Sequence, residues 1–506
     1  MKMTCVPLPS LVRLLRRPGP ILAVLVATSL AAPAQDSDRH RLLDLAEENP
    51  RLLLEERRHE ASDTIVLQGT YRVYEDRQAR TGREIDLALM VLPATGDDLA
   101  PDPVVVFHGG PGAAATGYAR SLATSWLRER RDIVLVDQRG TGRSNPLRVP
   151  LLANDENLQG YFDSIFQSAP FEAARAQLEE IADLTKYTTP IAADDMNEVR
   201  EALGYGKINL RGGSYGSRAA LIYMRRHPDT VRTATLNGIA PVEFLNPLFH
   251  AQAAQEGFER ILAEIRSDRR YRNIFADLDD KLAAILSRLE DEPATVAVTH
   301  PATGEAEEIR LDRDAFAEAL RVMMYYLPTN RQVPALLLRA YEGDYVPFAQ
   351  RGLESNRGIR NLLCFGMLMC VVGSEDIPRI DPSMIPRLTE DTFLGDARVR
   401  TQMEVAKHWP RGDVPANYGD PVSADVPVLL WSGTHDPVTP PRWGEEAARS
   451  LPRCIHLTVP AAHGVGGACI AQIEREFLES GTLKDLDTSC VEELSMAPLA
   501  LPGDDD

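Results

Sequence analysis

The sequence is short of positive charge, and this limits the partners it is expected to bind. It carries 55 lysines and arginines against 74 aspartates and glutamates in 506 residues, a formal net charge of −19 at pH 7. Nucleic acids and anionic membrane surfaces attract basic patches, so we expect neither nucleic acid nor a stable membrane association. The phosphate-binding frames G-x-x-x-x-G-K-[ST] and G-x-G-x-x-G are missing as well, and no cofactor is implied.

Cysteine is scarce, with six residues in the whole chain, and none has the spacing of a zinc site, so no metal is implied. One cysteine lies in the N-terminal segment, and the remaining odd number leaves at least one thiol free or paired elsewhere. Cys469 and Cys490 bracket a predicted C-terminal helix and its following loop, and we favour them as a disulfide formed in an oxidising compartment. The other candidate pairs are Cys364–Cys370 and Cys370–Cys454.

The N-terminal apolar run, residues 21–30, is too short to span a bilayer comfortably, which takes about 20 residues. Basic residues precede it, and the small residues Ala32-Pro33-Ala34 follow it. This order is typical of a signal peptide over residues 1–34, cut near Ala34, and predicts a periplasmic or secreted protein. The alternative is an uncleaved membrane anchor.

Short apolar segments alternate with helical ones through most of the chain, which predicts an α/β fold with a doubly wound, mostly parallel sheet. Two alternating runs at 69–74 and 84–92 predict a leading hairpin. The predicted buried strands are 103–107, 132–136, 206–211, 231–236, 426–431 and 455–459. The predicted helices between them are 119–130, 192–203 and 217–227.

The alternation stops after residue 241 and resumes near residue 416. The intervening segment, 242–415, is helix-rich and lacks short buried strands, which predicts a helical cap inserted into the core. The core would then consist of residues 35–241 and 416–492, followed by a flexible acidic tail over 493–506.

The most informative motif is Gly212-Gly-Ser-Tyr-Gly216, because a predicted strand precedes it and a predicted helix follows. This context is that of a nucleophile elbow, in which a tight turn with small flanking residues lifts the hydroxyl of Ser214 clear of the sheet. The alternative is a tight turn with no reaction.

A serine hydroxyl needs a histidine to take its proton and a carboxylate to orient that histidine. Asp436 and His463 each follow a later predicted strand, at the strand ends where such sheets bind ligands. Their order after Ser214 is the one expected in a doubly wound hydrolase. His435 is a rival base that precedes its loop tip, and Asp425 and Asp420 are rival carboxylates placed before their strand.

Charge develops on a substrate carbonyl oxygen when a serine attacks it, so backbone N–H donors are needed there. The glycine-rich segment 108–112, His-Gly-Gly-Pro-Gly, follows a predicted strand directly. We assign the two donors of the oxyanion hole as the N–H groups of Gly110 and Tyr215. The turn over 137–144 we interpret as structural, tied down by Arg139 or Arg143, with substrate contact as the alternative.

Together, the motifs at 108–112, 137–144 (Asp-Gln-Arg-Gly-Thr-Gly-Arg-Ser) and 212–216 resemble the proline iminopeptidase branch of the α/β-hydrolases. The N-terminal leader, the large cap and the C-terminal segment 427–490 are similar to its secreted tripeptidyl aminopeptidase members. The resemblance implies an α/β-hydrolase fold, removal of residues from the N-terminus of peptides, and the same three catalytic residues.

An aminopeptidase must hold a free α-ammonium group, which calls for a carboxylate near the site. The cap segment 373–376, Gly-Ser-Glu-Asp, is similar to an acidic motif of the secreted members. The resemblance therefore points to Glu375 first and Asp376 second, and the alternative is a solvated acidic turn.

We expect an exported serine aminopeptidase, acting on peptides with a free N-terminus through an acyl-enzyme. A carboxylesterase acting on small esters uses the same machinery and is the alternative enzyme. A non-catalytic binding protein on the same fold would require the loss of a catalytic residue, and none is lost. The oligomeric state does not follow from the sequence.

Overall fold

The computed structural model describes residues 34–59, 62–150 and 153–503. The predicted signal peptide therefore lies outside the described residues, apart from Ala34. Eleven strands occur in the described part of the chain: β1 (Leu52–His59), β2 (Thr64–Tyr74), β3 (Glu84–Leu92), β4 (Val104–Phe107), β5 (Ile133–Val136), β6 (Ile208–Gly213), β7 (Val231–Asn237), β8 (Ala294–Thr299), β9 (Ala306–Leu311), β10 (Val428–Gly433) and β11 (Cys454–Val459).

The helices of the same residues begin before the sheet and continue between and after its strands. They are α1 (Ala34–Glu48), α2 (Ala119–Leu122), α3 (Ser168–Ile181), α4 (Thr189–Ala202), α5 (Tyr215–Arg226), α6 (His250–Ser267), α7 (Arg269–Arg272), α8 (Leu278–Asp291), α9 (Arg313–Met323), α10 (Leu327–Tyr341), α11 (Val346–Leu362), α12 (Phe365–Glu375), α13 (Met384–Thr389), α14 (Ala397–Lys407), α15 (Pro441–Ser450) and α16 (Ala468–Ser480).

One nine-stranded sheet forms the core, in the order β1-β2-β3-β5-β4-β6-β7-β10-β11. The six strands β5, β4, β6, β7, β10 and β11 pair in parallel. Strands β1, β2 and β3 add an antiparallel edge that includes the predicted hairpin. The predicted mostly parallel sheet is therefore confirmed. The sequence does not predict β1, because the second half of this strand is charged rather than apolar.

Strand β4 shows why these short apolar runs become central strands. Val105 and Phe107 join one apolar cluster, while Val104 and Val106 join another. Because successive side chains point to opposite faces of a sheet, both faces of β4 are covered by packed side chains. A strand buried on both faces needs an uninterrupted apolar run, which is what the sequence shows.

The segment between β7 and β10 contains α6 to α14 and has its own apolar cluster, centred on α8, α9 and α10. It also contains the antiparallel hairpin of β8 and β9, which the sequence does not predict. These two strands alternate exposed and buried residues, so they lack the continuous apolar run that marks the core strands.

Among the described residues no single helix is long and apolar enough to cross a membrane. The two segments Val346–Leu362 and Phe365–Arg379, which are bent relative to each other, reach that length and apolar composition only together.

Cys469 and Cys490 form a disulfide, as predicted, with Cα atoms 5.9 Å apart. The other candidate pairs do not form, because Cys364, Cys370 and Cys454 are free thiols. The bridge ties the start of α16 to the chain that follows it.

The C-terminal segment differs from the flexible tail that the sequence predicts over 493–506. Leu499 is buried, and its N–H donates to the Tyr271 hydroxyl at 3.1 Å. The Ala500 N–H donates to the carbonyl of Arg331 at 3.0 Å. One apolar side chain and two hydrogen bonds therefore hold this part of the segment against the region between β7 and β10, and residues 504–506 lie outside the described residues.

The turn over 137–144 is held by buried charge. The Arg139 guanidinium is fully buried and donates to both carboxylate oxygens of Asp195, at 2.6 and 2.8 Å. It also donates to the carbonyls of Glu75 and Lys186. Arg139 thus joins the turn to β2 and α4, which accords with a structural role for this motif.

Candidate active site

Ser214 lies in the sharp turn between β6 and α5. Its backbone angles, φ 56° and ψ −130°, fall in a region that non-glycine residues rarely adopt. A Cβ on Gly212 would meet the carbonyl oxygen of Gly216 at 2.4 Å, and one on Gly216 would meet that of Phe107 at 2.3 Å. The two glycines are therefore required by close backbone approach, as in a nucleophile elbow.

Asp436 and His463 lie in the loops after β10 and β11 and are hydrogen-bonded to each other. His463 Nδ1 is 2.8 Å from Asp436 Oδ2 and 3.0 Å from Oδ1. The carboxylate also accepts from the N–H groups of Val438 and Thr439 and from the Thr439 hydroxyl. Burial acts to raise the pKa of Asp436, but the hydrogen bonds and the charge of His463 outweigh it and hold that pKa below its ordinary value.

The ring of His463 is fixed by residues outside its own loop. Tyr325, just after α9, packs edge-on against it with ring centroids 5.3 Å apart. The backbone N–H of His463 donates to the backbone carbonyl of Tyr325 at 3.2 Å. On the opposite side a Cβ at Gly238 would come within 3.2 Å of the ring. The histidine is thus held between the end of β7 and the segment that covers the sheet.

The rival residues are placed elsewhere. His435 contacts Thr434 through Nδ1 and Glu264 through Nε2, and it is not among the residues that line the cavity containing Ser214. Asp425 is exposed beside Arg453. Neither contacts His463 in the described part of the chain.

Ser214 and His463 line one cavity of about 290 Å³ beneath the helices between β7 and β10. Backbone from the core forms its floor, and the covering helices form most of its apolar walls. The apolar lining includes Ile165, Phe244, Ile359, Leu362, Leu363 and Phe365. Charged and polar side chains line it as well, and a covered cavity of this kind is typical of a small-molecule site.

The glycine-rich segment passes directly over Ser214. A Cβ on Gly109 would be 3.1 Å from the Ser214 Cβ, a contact tighter than side chains ordinarily make. Gly110 has φ +119° and lies against Leu363. The Tyr215 N–H opens α5, where the first amides of a helix have no preceding carbonyl to bond. Both assigned donors therefore border the cavity next to the serine.

The two acidic candidates of the covering segment are in different positions. Asp376 lines the cavity, whereas Glu375 is not among the lining residues. Asp376 is fully buried and accepts from Arg218 at 2.8 and 2.9 Å and from Arg379 at 3.3 Å. Both side chains are buried, so neither belongs to a solvated acidic turn, which was the alternative.

Glu375 instead binds the start of α4. It accepts from the Thr189 N–H at 2.5 Å, from the Thr189 hydroxyl at 2.8 Å and from the Tyr418 hydroxyl. Burial raises the pKa of Glu375 to about 7, although these hydrogen bonds and Arg218 act to lower it. The carboxyl group therefore caps a helix behind the cavity wall.

Several residues around the site had no prediction. Thr439 supports Asp436, and its position three residues later in the same loop is a signal that could have been used. Arg218 lies one turn along α5 from Ser214, so the elbow could have pointed to it. Arg321, Arg398 and His250 also line the cavity, and nothing in the local sequence marks them.

The family model for the alpha/beta hydrolase fold matches residues 102–465. Serine protease Hip1 of Mycobacterium tuberculosis is 24% identical over 488 residues, covering 84% of this chain and 87% of the relative. Proline iminopeptidase of Neisseria gonorrhoeae is 29% identical over 226 residues, covering 42% of this chain and 59% of the relative. A solved thermophilic esterase from Thermogutta terrifontis is 16% identical with a TM-score of 0.33, covering 82% of this chain and 99% of its own. The chain belongs to the alpha/beta hydrolase fold family and is a hydrolase with serine peptidases among its relatives.

Proposed function

We propose that the protein is a serine hydrolase that works through an acyl-enzyme, with Ser214 as nucleophile, His463 as general base and Asp436 as its orienting carboxylate. The observation that carries this proposal is the hydrogen bond between the buried Asp436 and His463, which lines the same cavity as Ser214. His463 Nδ1 is committed to the carboxylate, which leaves Nε2 to exchange a proton with the serine hydroxyl.

In this proposal the N–H groups of Gly110 and Tyr215 stabilise the oxyanion. The backbone at both positions borders the cavity beside Ser214. Fixed backbone dipoles need no reorganisation as negative charge develops on the carbonyl oxygen, and one such donor is worth about a hundredfold or more in rate.

The substrates we propose are peptides with a free N-terminus, cleaved as an aminopeptidase of the proline iminopeptidase or tripeptidyl type. Two of the relatives are named as a serine protease and a proline iminopeptidase. The covered cavity suits a chain end better than a continuous chain. Asp376, which lines the cavity, would accept the α-ammonium group, and Glu375 would support it from behind. We further propose that residues 1–34 are a signal peptide and that the enzyme is periplasmic or secreted.

One observation favours a carboxylesterase as the second candidate. Asp376 already faces the guanidinium groups of Arg218 and Arg379, so its charge is compensated before any ammonium group arrives. A neutral ester in an apolar cavity needs no such carboxylate.

Steady-state kcat/KM on matched substrates tests this proposal. Fluorogenic amides of proline, alanine-proline and alanine-alanine-proline, each with a free and an acetylated N-terminus, are compared with a short-chain ester, and Ser214→Ala is the control. We expect cleavage of the free but not of the acetylated peptides, and loss of the difference in Asp376→Asn. Ester turnover without peptide cleavage would instead support the carboxylesterase, and turnover by Ser214→Ala would contradict the nucleophile.

A further inference from the structure

The cavity has a cationic wall on the side built by α6, α9 and α14. Arg321, Arg398 and His250 line it, together with the catalytic serine on the opposite floor. Arg321 and His250 are buried, at 2% and 6% exposure, whereas the Arg398 side chain is partly buried, at 13% exposure. Buried charges are costly unless they are paired, so their partners decide what this wall can bind.

Two guanidinium groups share one carboxylate. Glu318 accepts from Arg321 at 2.5 and 3.0 Å, and from Arg398 at 2.6 Å. Arg321 also donates to the Tyr325 hydroxyl at 2.7 Å. One negative charge therefore faces two positive ones, and the wall retains an excess of positive charge.

Arg398 is the less satisfied of the two. Its Nη1 donates to Glu318 and its Nε to Gln402, at 3.3 Å, and the guanidinium lies over the Phe166 ring. Within residues 34–59, 62–150 and 153–503 its Nη2 has no hydrogen-bond partner. The Nη2 group of Arg398, a residue that lines the cavity, is thus left to donate to an acceptor.

His250 provides an independent sign of a missing ligand group. Neither of its ring nitrogens has a hydrogen-bond partner among the described residues, although the ring is buried and lines the cavity. Burial, followed by the charges of Arg321 and Arg398, holds the pKa of His250 well below its ordinary value. A neutral imidazole can donate one hydrogen bond into the cavity, and leaving it unmade costs free energy.

The other carboxylate of the cavity does not cancel this excess. Asp376 pairs with Arg218, which also lines the cavity, and this pair joins the end of α12 to α5. The positive wall and the apolar remainder of the cavity therefore set the chemistry available to a substrate beyond its reacting carbonyl.

We propose that Arg398, Arg321 and His250 form a subsite that binds a carboxylate group of the substrate in the cavity of Ser214. A guanidinium fork matches the two oxygens of a carboxylate, and an imidazole N–H supplies a third donor. The carboxylate belongs either to the acyl part of the substrate or to the C-terminus of a short peptide. The substrate assignment rests on the proposed function of Ser214, whereas binding of the carboxylate itself does not.

Binding is tested first, because it is independent of turnover. Isothermal titration calorimetry compares glutarate with the neutral diamide glutaramide on the Ser214→Ala protein. We expect saturable binding of glutarate, with an affinity at least about tenfold above that of the diamide, since a charge-assisted hydrogen bond is replaced by a neutral one. Arg398→Gln in the same background removes this difference, and Arg398→Lys retains part of it. Arg400→Gln, an exposed arginine on the same helix, is the matched control and leaves it unchanged.

Kinetics then identify the source of the carboxylate. One pair of substrates is the mono-p-nitrophenyl ester of adipic acid and p-nitrophenyl hexanoate, and the other is the dipeptide Pro-Ala and its C-terminal amide. If the adipic acid ester is preferred over the hexanoate, the carboxylate belongs to the acyl part of the substrate. If Pro-Ala is preferred over its amide, the carboxylate belongs to the leaving peptide. The preferred ratio of kcat/KM falls to about one in Arg398→Gln, since only the charge-assisted contact distinguishes the pair.

Equal binding of glutarate and glutaramide, or an unchanged difference in a folded Arg398→Gln protein, would overturn the subsite. If no substrate is turned over while glutarate still binds through Arg398, the proposed function fails and the subsite stands. Should Arg398→Gln fail to fold, Arg398→Lys decides by the same comparison.

Discussion

The core and the covering segment both line the cavity, but they bring their side chains there in different ways. The core places Ser214, Asp436 and His463 at the ends of β6, β10 and β11, where strand and loop geometry fixes them. The covering segment instead presents charged side chains that are held by partners far away in the chain, such as Asp376 with Arg218, 158 residues apart. In the proposed function, the reaction would therefore depend on the sheet, and substrate choice on ion pairs of the covering segment.

Asp436→Asn is expected to have the largest effect, because it alters the core machinery itself. An asparagine can turn an N–H towards His463 Nδ1 and so favour the wrong tautomer, which in comparable sites lowers kcat about ten-thousandfold. The measurement is kcat for the best substrate, with a thermal melt to show that the fold is kept. Asp425→Asn, an exposed carboxylate ahead of β10, is the matched control. A loss below about tenfold would mean that His463 does not depend on Asp436.

The second largest effect is expected for the ion pair that joins the core to the covering segment. Arg218 and Asp376 are both almost fully buried, and Asp376→Ala leaves the Arg218 guanidinium without its partner. Breaking a buried pair costs about 3 to 5 kcal/mol, and we expect that loss in the free energy of unfolding measured with urea.

Two further variants sharpen this test. Arg218→Met combined with Asp376→Leu removes both charges and should recover much of the lost stability. Asp391→Ala, an exposed change in the same covering segment, should alter stability by less than about 0.5 kcal/mol. If Asp376→Ala is as mild as Asp391→Ala, the two regions are not joined by this pair.

The same contrast explains what the sequence could predict. Strands β4, β5 and β10 were predictable because they are mainly apolar runs buried along their whole length. Strands β6, β7 and β11 include polar residues and were predictable from the alternation of strands with helices. Ser214 was predictable because its motif lies between such a strand and a helix. Strand β1 was not, because its second half is charged and mostly exposed. The hairpin of β8 and β9 was missed, although its alternation of exposed and buried residues is the same kind of signal as the runs at 69–74 and 84–92.

Ion pairs between residues far apart in the chain could not be predicted from the sequence, for a different reason. Glu318 and Arg398 are 80 residues apart, and nothing local distinguishes them from the many charged residues of exposed helix faces. Glu375 and Asp376 are adjacent in the sequence, yet only Asp376 lines the cavity. Side-chain direction at the end of α12 decides this, and a motif carries no such information.

Tyr325→Ala tests whether a residue of the covering segment contributes to the reaction as well as to substrate choice. The ring supports His463 from the covering side, so its removal loosens the base without changing any predicted catalytic residue. We expect kcat to fall about tenfold to a hundredfold, because small misplacement of a catalytic group is costly. Tyr325→Phe should keep most of the activity, since the ring is retained. Tyr341→Ala, which changes an exposed tyrosine of α10, is the control. Equal activity of the Tyr325→Ala and Tyr341→Ala proteins would show that the Tyr325 ring does not support His463.

The smallest expected effect concerns the ionisation of Glu375. Burial raises the pKa of Glu375 to about 7, from an ordinary value of 4.5. Because the folded chain binds this proton more tightly than the unfolded chain, the contribution of Glu375 to stability is complete below pH 4.5 and is lost as the pH rises through 7. The wild-type protein is therefore penalised at pH 8 for holding a buried charge.

Glu375→Gln removes that penalty, since the glutamine stays neutral at every pH. We expect its free energy of unfolding at pH 8 to exceed that of the wild type by about 1 to 3 kcal/mol, and the gain to vanish towards pH 4.5. Urea unfolding at both pH values measures this, with the exposed Glu354→Gln of α11 as control. A glutamine variant that is less stable at pH 8 would show that Thr189, Tyr418 and Arg218 stabilise the carboxylate more than burial disfavours it. Glu375 would then resemble Asp436, and a fixed charge would stand behind the cavity wall as well as in the core.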